Sequence, residues 1–443
     1  MKKLIYTLAC VLGLGAIACS TKNTKEDMTS GFVKVENGVF TLDGKPYKYI
    51  GTNFWYGAIL GSEGRGGDRA RLLRELDSLH ALGLDNLRIL AGGQGDRHIP
   101  SHIEPTLETA PGVYNDTILA GLDFLLSEME KRGMKGVIYL NNAWEWSGGY
   151  GSYLEWAGRG KAPVPSVDGW PAYNDYVKAF VMDTVARRMA TDHARFMAGR
   201  TNRYTGKPYK DSPAIMSWQV ANEPRSFSDE GKPYLKSWIQ ETARAIKEVD
   251  PNHLVSTGSE GKHGCEQDLE LWADIHAMPE IDYAIAHLWP YNWGWANPDS
   301  LKQDVGVSCE KAKEYIGLHA AKAKQMKKPL VIEEFGYPRD NMGLEPGSPT
   351  EARDAFYDYM CGLVADGTIS GLNFWGWGGE AKPKHAVWEP GDDYTGDPAQ
   401  EDQGLNSIFQ ADKSTLNVIK KHTANLKNEK TTDNYRSGAN LHR

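Results

Sequence analysis

Short apolar runs rich in β-branched residues recur along the chain, and most are followed by a loop and then by a stretch with helical spacing of its apolar positions. A run of this kind bounded by Gly, Pro or Asn predicts a buried strand. We expect eight strands, at residues 48–54, 85–90, 136–141, 215–220, 253–257, 281–286, 330–334 and 371–374. The intervening patterns predict helices at residues 69–82, 117–132, 174–195, 234–248, 310–327 and 351–365.

Strands that alternate with helices predict a parallel sheet, and eight such units predict an α/β fold of the closed (β/α)8 TIM-barrel type. A doubly wound open sheet is the alternative, but it usually carries a Gly-rich phosphate turn after its first strand. Here the first strand runs into an aromatic segment, residues 51–57. We therefore predict one barrel domain over residues 31–428. A short N-terminal β-hairpin, turning at Asn37-Gly38, is expected to cover the barrel floor.

Residues 1–18 have the features of a secretory signal: a basic start, a short apolar stretch and small residues before Cys19. This ending resembles a bacterial lipobox, so we expect a lipid on Cys19 and a polar tether over residues 19–30; an ordinary signal peptide is the alternative. The expected location is the bacterial cell envelope, as an outer-membrane lipoprotein, or outside the cell, with membrane contact through the lipid anchor alone. Residues 429–443 predict a polar, frayed tail.

The net charge is −8 and the sequence has no basic stripe, which argues against nucleic acid as a partner and favours a neutral substrate. Beyond Cys19 three cysteines remain, Cys265, Cys309 and Cys361. Their odd number leaves at least one thiol free, and no pairing can be assigned. Their spacing is not that of a metal site.

Two glutamates stand where predicted strands end. Glu223 lies in Asn-Glu-Pro after the fourth strand, and Glu334 ends the seventh, just before Phe-Gly. In a barrel the carboxyl ends of all strands meet at one mouth, so the two carboxyls can face each other there. Two facing carboxyls suit an acid and a nucleophile acting on one glycosidic bond. Strand alternation predicts that the neighbouring Glu333 points away, toward the helices.

Other polar and indole side chains follow the strands. Arg88 can keep Glu334 ionised, Asn222 can bind a sugar hydroxyl, and His287 can orient a carboxyl. Each of these also has a purely structural interpretation, as an ion-pair partner or a packed rim residue. Indole faces stack on sugar rings, and loop tryptophans otherwise serve as packing. The candidate substrate-binding residues are Arg88, Asn222, His287, Trp375, Trp55, Asn53, Trp144, Arg225, Trp289 and Tyr291. The glutamates at 145, 155 and 380 lie off the strand ends and are not favoured as catalytic groups.

These motifs resemble glycoside hydrolase family 5. The resemblance rests on Arg88, Asn-Glu-Pro at 222–224, His287, Glu-Phe-Gly at 334–336 and Trp375. Gly-Thr-Asn at 51–53, Asn-Asn-Ala-Trp at 141–144, Arg225 and the segment 287–293 resemble its endo-β-1,4-mannanase subfamily. The resemblance implies a retaining hydrolase of β-mannan or manno-oligosaccharides. It also implies Glu223 as acid/base, Glu334 as nucleophile, Arg225 on the leaving-group side, and no metal or organic cofactor. We expect a monomer.

Two departures from the family pattern affect this interpretation. Many relatives carry a tyrosine two residues after the histidine, where this chain has Trp289, with Tyr291 two residues further on. The loop 380–402 is long and acidic, and it could close one end of the cleft, so that mannose or mannobiose is released. A β-1,4-glucanase and an exo-acting mannosidase or mannobiohydrolase therefore stay open as alternatives. A non-catalytic glycan-binding barrel is disfavoured because both glutamates are present.

Overall fold

The computed structural model describes residues 31–95 and 98–439, with the backbone alone described from residue 429 onward. The signal segment 1–18, the lipidation site Cys19 and the tether 19–30 lie outside the described residues. In the part described, no helix is both long and apolar enough to cross a membrane.

Eight parallel strands form the predicted TIM barrel. They are β1 Tyr49–Asn53, β2 Asn86–Leu90, β3 Lys135–Tyr139, β4 Ile215–Gln219, β5 Leu254–Ser256, β6 Ala284–Leu288, β7 Leu330–Phe335 and β8 Gly371–Phe374. The hydrogen-bonded order is β5-β4-β3-β2-β1-β8-β7-β6. Between β5 and β6 the barrel is closed by Asp282 N, which donates to Val255 O at 2.8 Å. All eight strands are buried along their length, as expected for a sheet with helices outside and packed side chains inside.

The helices surround the strands. They are α1 Gly57–Leu60, α2 Arg69–Leu82, α3 Asp116–Lys131, α4 Gly149–Trp156, α5 Pro165–Asp168, α6 Trp170–Val177, α7 Thr184–Ala198, α8 Lys232–Val249, α9 Leu269–His276, α10 Leu301–Met326, α11 Glu351–Ala365 and α12 Lys413–Ala439. The single helix predicted at 174–195 is wrong. The Asp183 side chain accepts hydrogen bonds from the N–H groups of Val185 and Ala186 and so begins a new helix, α7. Helix α12 continues to Ala439 and so extends into the predicted polar tail, residues 429–443.

The predicted hairpin is confirmed. Strands Val33–Glu36 and Val39–Leu42 pair antiparallel around Asn37 and Gly38, both at positive φ as a tight two-residue turn requires. Phe40 packs edge-on against Tyr283 at the start of β6, with ring centroids 5.2 Å apart. The hairpin thus seals the barrel floor. A third short strand, Lys45–Pro46, joins it and was not predicted.

Two further pairs of short strands lie in the loops. Glu108–Ala110 pairs with Val113–Tyr114 after β2, and Trp377–Gly379 pairs with Ile408–Phe409 after β8. The second pair closes off a long loop, residues 380–407, which we call the β8 loop. Cys265, Cys309 and Cys361 are all free thiols.

Candidate active site

The two predicted carboxylates face each other at the barrel mouth. Glu223 follows β4 in the left-handed region at φ 48°, a backbone position that costs energy for a residue with a Cβ and is common at active sites. Glu334 lies within β7 and is 3% exposed. One oxygen of each carboxylate lies within 4.8 Å of the other. Retaining glycosidases hold their carboxyl groups about 5–5.5 Å apart, so this separation favours retention over inversion.

His287, at the end of β6, links the two carboxylates. Its Nδ1 lies 2.7 Å from Glu223 Oε1 and 3.2 Å from Glu334 Oε2. Burial works to lower the pKa of His287, but the two carboxylates outweigh it and raise that pKa to about 9. Burial works to raise the pKa of Glu223, and the hydrogen bond and charge of His287 outweigh it, lowering it to about 2. Glu223 and His287 therefore titrate as a pair, with the proton held on the imidazole at neutral pH.

Arg88 lies deeper in the barrel than Glu334 and holds the Glu334 carboxylate in place. Its guanidinium donates to Glu334 Oε1, to Asn222 Oδ1 at 3.0 Å and to Asn53 Oδ1 at 3.1 Å. Arg88, Asn53 and His287 are completely buried. They hold the carboxylates in position, Asn53 through Arg88, and their expected contact with substrate stays a prediction.

The orientation of Glu333 differs from the prediction. The β6–β7 register pairs Ala286 with Ile332 and then His287 with Glu334, so a bulge at Glu333 interrupts strict alternation. Glu333 consequently points into the barrel, where Gln219 and Tyr283 donate hydrogen bonds to its carboxylate. Burial raises the pKa of Glu333. It lies below the mouth and does not line the cavity.

On the other side of Glu223 a tryptophan and an arginine form a wall. Trp144 Nε1 donates to Glu223 Oε2 at 2.5 Å, and Arg225 lies 5.4 Å from the Trp144 ring centroid. Arg225 is held in turn by an ion pair with Glu260, at the end of β5. Burial and the nearby Glu223 raise the pKa of Glu260 to about 7.

The carboxylates open into a cavity of about 630 Å³. Of the sequence-predicted residues, five line it besides the two glutamates: Asn222, Trp375, Trp144, Arg225 and Trp289. Residues that the sequence did not single out also line it: Trp146, Trp170, Asn174, Glu260, His263, Glu266, Gln267, Asn292, Trp293, Gln400 and Glu401.

Two predicted contacts lie elsewhere. Trp55 is 3% exposed, and its Nε1 donates to Gly396 O at 3.1 Å, so the β8 loop covers it. Tyr291 is half-buried outside the cavity lining. Within the described residues no tyrosine hydroxyl bonds Glu334, whose side-chain partners are Arg88 and His287. The hydroxyl contact common in relatives is therefore not formed here.

The β8 loop brings a third carboxyl into the cavity. Glu401 Oε2 is shielded from solvent and has no hydrogen-bond partner in the described structure. Burial, together with the nearby Asp397 and Glu334, raises the pKa of Glu401 well above its usual range. The neighbouring Gln400 contacts Glu145. With the Gln400 amide oriented so that its nitrogen faces Glu145, that nitrogen donates to Glu145 Oε1 at 2.9 Å. The acidic composition of the β8 loop was the sequence feature that could have indicated a further carboxyl in the cavity.

One oxygen or nitrogen from each of Glu223, His287 and Glu334 could together hold a metal ion, the one such cluster within the described residues. These atoms already pair with one another, and Arg88 neutralises part of their charge. We therefore interpret the cluster as a catalytic carboxylate–imidazole network. The expectation of no metal and no cofactor stays a prediction.

An eight-stranded barrel whose mouth holds two facing carboxylates is the architecture of a barrel glycoside hydrolase. The chain belongs to glycoside hydrolase family 5, since a family model described as β-mannosidase-like matches residues 30–431. This confirms the family resemblance seen in the sequence.

Known proteins resemble the chain over most of its length. It is 30% identical over 431 residues to putative mannan endo-1,4-β-mannosidase 4 of Arabidopsis thaliana, covering 93% of this chain and 95% of that protein. Mannan endo-1,4-β-mannosidase 5 of Solanum lycopersicum is 28% identical, covering 84% and 86%. The crystal structure of a family 5 mannosidase from Rhizomucor miehei matches with a TM-score of 0.83 at 32% identity, covering 91% and 99%.

Proposed function

We propose that the protein hydrolyses β-1,4-mannosidic bonds of mannan or manno-oligosaccharides by double displacement. Glu334 attacks the anomeric carbon and forms a glycosyl ester, while the proton held by the Glu223–His287 pair is delivered through Glu223 to the leaving oxygen. Glu223 then removes a proton from water, which cleaves the ester and restores the starting configuration. The observation that carries this assignment is His287 bonded to both carboxylates.

The substrate class rests on relatives. Both plant proteins are named for mannan endo-1,4-β-mannosidase activity, and the Rhizomucor miehei protein is named a mannosidase. One crystal structure of that mannosidase contains mannosyl-fructose.

We further propose that the enzyme acts at the non-reducing ends of chains. The β8 loop crosses from β8 to the loops after β1, β2 and β3. The loop covers Trp55. Its Tyr394 hydroxyl donates a hydrogen bond to Glu104 O at 2.5 Å, and its Gln400 side chain lies within hydrogen-bond distance of Glu145. The crossing brings Glu401 into the cavity beside Trp375 and Glu334, on the side where the proposed glycosyl ester forms, and there it would block a longer chain. The position of the β8 loop is the observation that supports action at chain ends.

The product time course tests this mode of action. Unsubstituted mannan, galactose-substituted mannan and mannohexaose are each digested, and the products are separated by chromatography. We expect mannose or mannobiose from the first time points, with the remaining polymer shortened slowly. A mixture of long oligomers at the first time points would contradict chain-end action. Rapid cleavage of carboxymethylcellulose would favour the glucanase alternative.

A matched pair of variants tests the two roles. In Glu223→Ala, azide is expected to restore turnover of an activated aryl β-mannoside and to give the β-mannosyl azide. In Glu334→Ala, azide is expected to give the α-anomer, because it replaces the nucleophile instead of the water. Full activity of either variant without azide would overturn the assignment.

We propose, from the sequence alone, that Cys19 carries a lipid that anchors the enzyme in the bacterial envelope. Residues 19–30 would then act as a tether of low hydrophobicity. Labelled palmitate is expected to enter the wild-type protein and not Cys19→Ala. Equal labelling of both would overturn the anchor while leaving the hydrolase proposal untouched.

A further inference from the structure

One short turn of the β8 loop, residues 398–402, enters the active-site cavity, and we call it the loop tip. Gln400 and Glu401 belong to the tip, and both line the cavity. The tip contains no helix or strand, so backbone ladders do not fix its conformation. Hydrogen bonds from side chains to the backbone can do so instead. The chain-end action proposed above therefore depends on the side chains that hold the tip in place.

Asp397 directly precedes the tip and ties it to the segment that follows. Its Oδ1 accepts a hydrogen bond from Asn406 N at 2.8 Å, and its Oδ2 accepts from Gly404 N at 2.9 Å and Ser407 N at 3.1 Å. The Ser407 hydroxyl donates to the same Oδ2. Asp397 is 1% exposed, so these donors take the place of water around a buried carboxylate. One carboxylate thus holds the two ends of the tip together.

Gln403 fixes the backbone within the tip. Its side-chain nitrogen lies within hydrogen-bond distance of three carbonyl oxygens, those of Asp397 at 3.1 Å, Pro398 at 3.0 Å and Glu401 at 3.2 Å. Its side-chain oxygen accepts from the Thr395 hydroxyl at 2.7 Å. Gln403 is also buried. The tip is therefore built around one buried amide, which holds the backbone of Glu401 directly.

The segment that follows the tip is attached to the barrel. Arg339 donates to Gly404 O and, at 2.7 Å, to Ser407 O, while Arg353 donates to Leu405 O at 2.8 Å. Both arginines are completely buried. Because Asp397 is bonded to this same segment, the position of the tip is fixed relative to the barrel.

We propose that Asp397 and Gln403 are positioning residues that determine where the enzyme cuts, because they hold the loop tip inside the cavity. Neither side chain is among the cavity-lining residues of the described structure, so both act through Gln400 and Glu401. Once the tip is released, the cavity opens beside Glu334 and a longer chain can extend through it. The inference rests on the proposed action at chain ends and names the residues that impose it.

Replacing Asp397 with asparagine tests the inference at nearly constant side-chain size. The new amide nitrogen is a donor and cannot accept from the backbone N–H groups that the carboxylate satisfies, so the tip should be released. The substrates are 4-nitrophenyl β-mannoside and 4-nitrophenyl β-mannotrioside, and release of intact mannotriose from the second is measured by chromatography. We expect kcat/KM for that release, divided by kcat/KM for the mannoside, to rise about tenfold or more, because discrimination by a steric block disappears with the block.

A second variant and a control complete the design. Gln403→Ala should raise the same ratio, and it carries the test if Asp397→Asn does not fold. Asp392→Asn makes the matching change in the outer part of the β8 loop, where Asp392 contacts His385 and accepts from Glu389 N outside the active-site cavity. Its ratio should equal that of the wild type. A general structural defect lowers both kcat/KM values and leaves their ratio unchanged.

The remaining outcomes count against the inference. An unchanged ratio in the folded variants, as judged by thermal melting, would overturn it, and so would an equal rise in Asp392→Asn. Rapid release of intact mannotriose by the wild type would contradict chain-end action itself and the inference with it. The product time course of the wild type on mannan detects that second kind of failure separately.

Discussion

Replacing His287 with glutamine is expected to lower the pH at which activity is lost on the alkaline side. In the wild type the proton needed for catalysis is held on His287, whose pKa is about 9. The active form therefore loses its proton, and its activity, as pH rises through about 9. In His287→Gln the same proton must be held by the two carboxylates alone.

The structure sets the size of this shift. Two carboxylate charges within 4.8 Å of each other repel by about 3.5 kcal/mol at the outer limit of that range, for an effective dielectric constant of about 20. Repulsion of this size raises the pKa of the last proton on the pair by about 2.5 units above that of an ordinary carboxyl, which still lies below the pKa of His287. The alkaline limb should therefore move down by about two pH units. The alkaline limb moves to lower pH because the variant lacks the imidazolium, which holds the proton more tightly than the carboxylate pair does.

The assay is the pH dependence of kcat/KM with 4-nitrophenyl β-mannoside, which reports the ionisation of the free enzyme. His276→Gln, which replaces a buried histidine behind β5 away from the cavity, controls for a general effect of losing a buried imidazole. Thermal melting of both variants checks that each is folded. An alkaline limb that stays within half a unit of the wild-type position would refute the shared-proton account.

Three further changes have defined outcomes. Glu401→Ala should lower kcat/KM about tenfold, the scale of one hydrogen bond, whereas Glu401→Gln, which keeps the length and polarity of the side chain, should lose less than threefold in the same assay. Asp412→Ala leaves the buried guanidinium of Arg339 without its carboxylate at 2.6 Å and should lower the free energy of unfolding by about 3–5 kcal/mol in urea titrations. Phe40→Ala removes the ring that seals the floor and should cost about 3–5 kcal/mol by the same measurement.

These outcomes can be contradicted individually. Equal losses in the two Glu401 variants would show that the carboxyl acts as an anion or through packing. Asp412→Ala with unchanged stability would mean that water reaches Arg339. Phe40→Ala that loses less than about 1 kcal/mol would mean that the hairpin contributes little to closing the floor.

Strand positions were predictable because each barrel strand is buried on both faces and ends at a Gly, Pro or polar residue. The fourth predicted strand, 215–220, and the observed Ile215–Gln219 differ by one residue. Breaks within helical patterns were not predictable in the same way. The apolar spacing continues across residues 174–195, and the break depends on the Asp183 side chain capping a new helix.

The carboxylate pair was predictable, but its surroundings depended on tertiary structure. Glu333 points inward because of a β-bulge, which local alternation does not reveal. Trp55 was expected to contact substrate, yet a loop more than 300 residues later in sequence covers it. Glu401 belongs to that same loop, and only the folded chain brings it beside Glu334. The strand ends therefore predicted where the catalytic carboxylates lie. The long loops determine which other side chains surround them.

The central claim is that Glu334 forms a covalent bond to the sugar. A 2-deoxy-2-fluoro-β-mannosyl fluoride forms the ester quickly and hydrolyses slowly, so that mass spectrometry of the digested protein can locate the adduct. We predict one adduct per chain, on Glu334, and none in Glu334→Gln. An adduct on Glu333 or Glu223, or inversion at the anomeric carbon of the released sugar, would contradict the account.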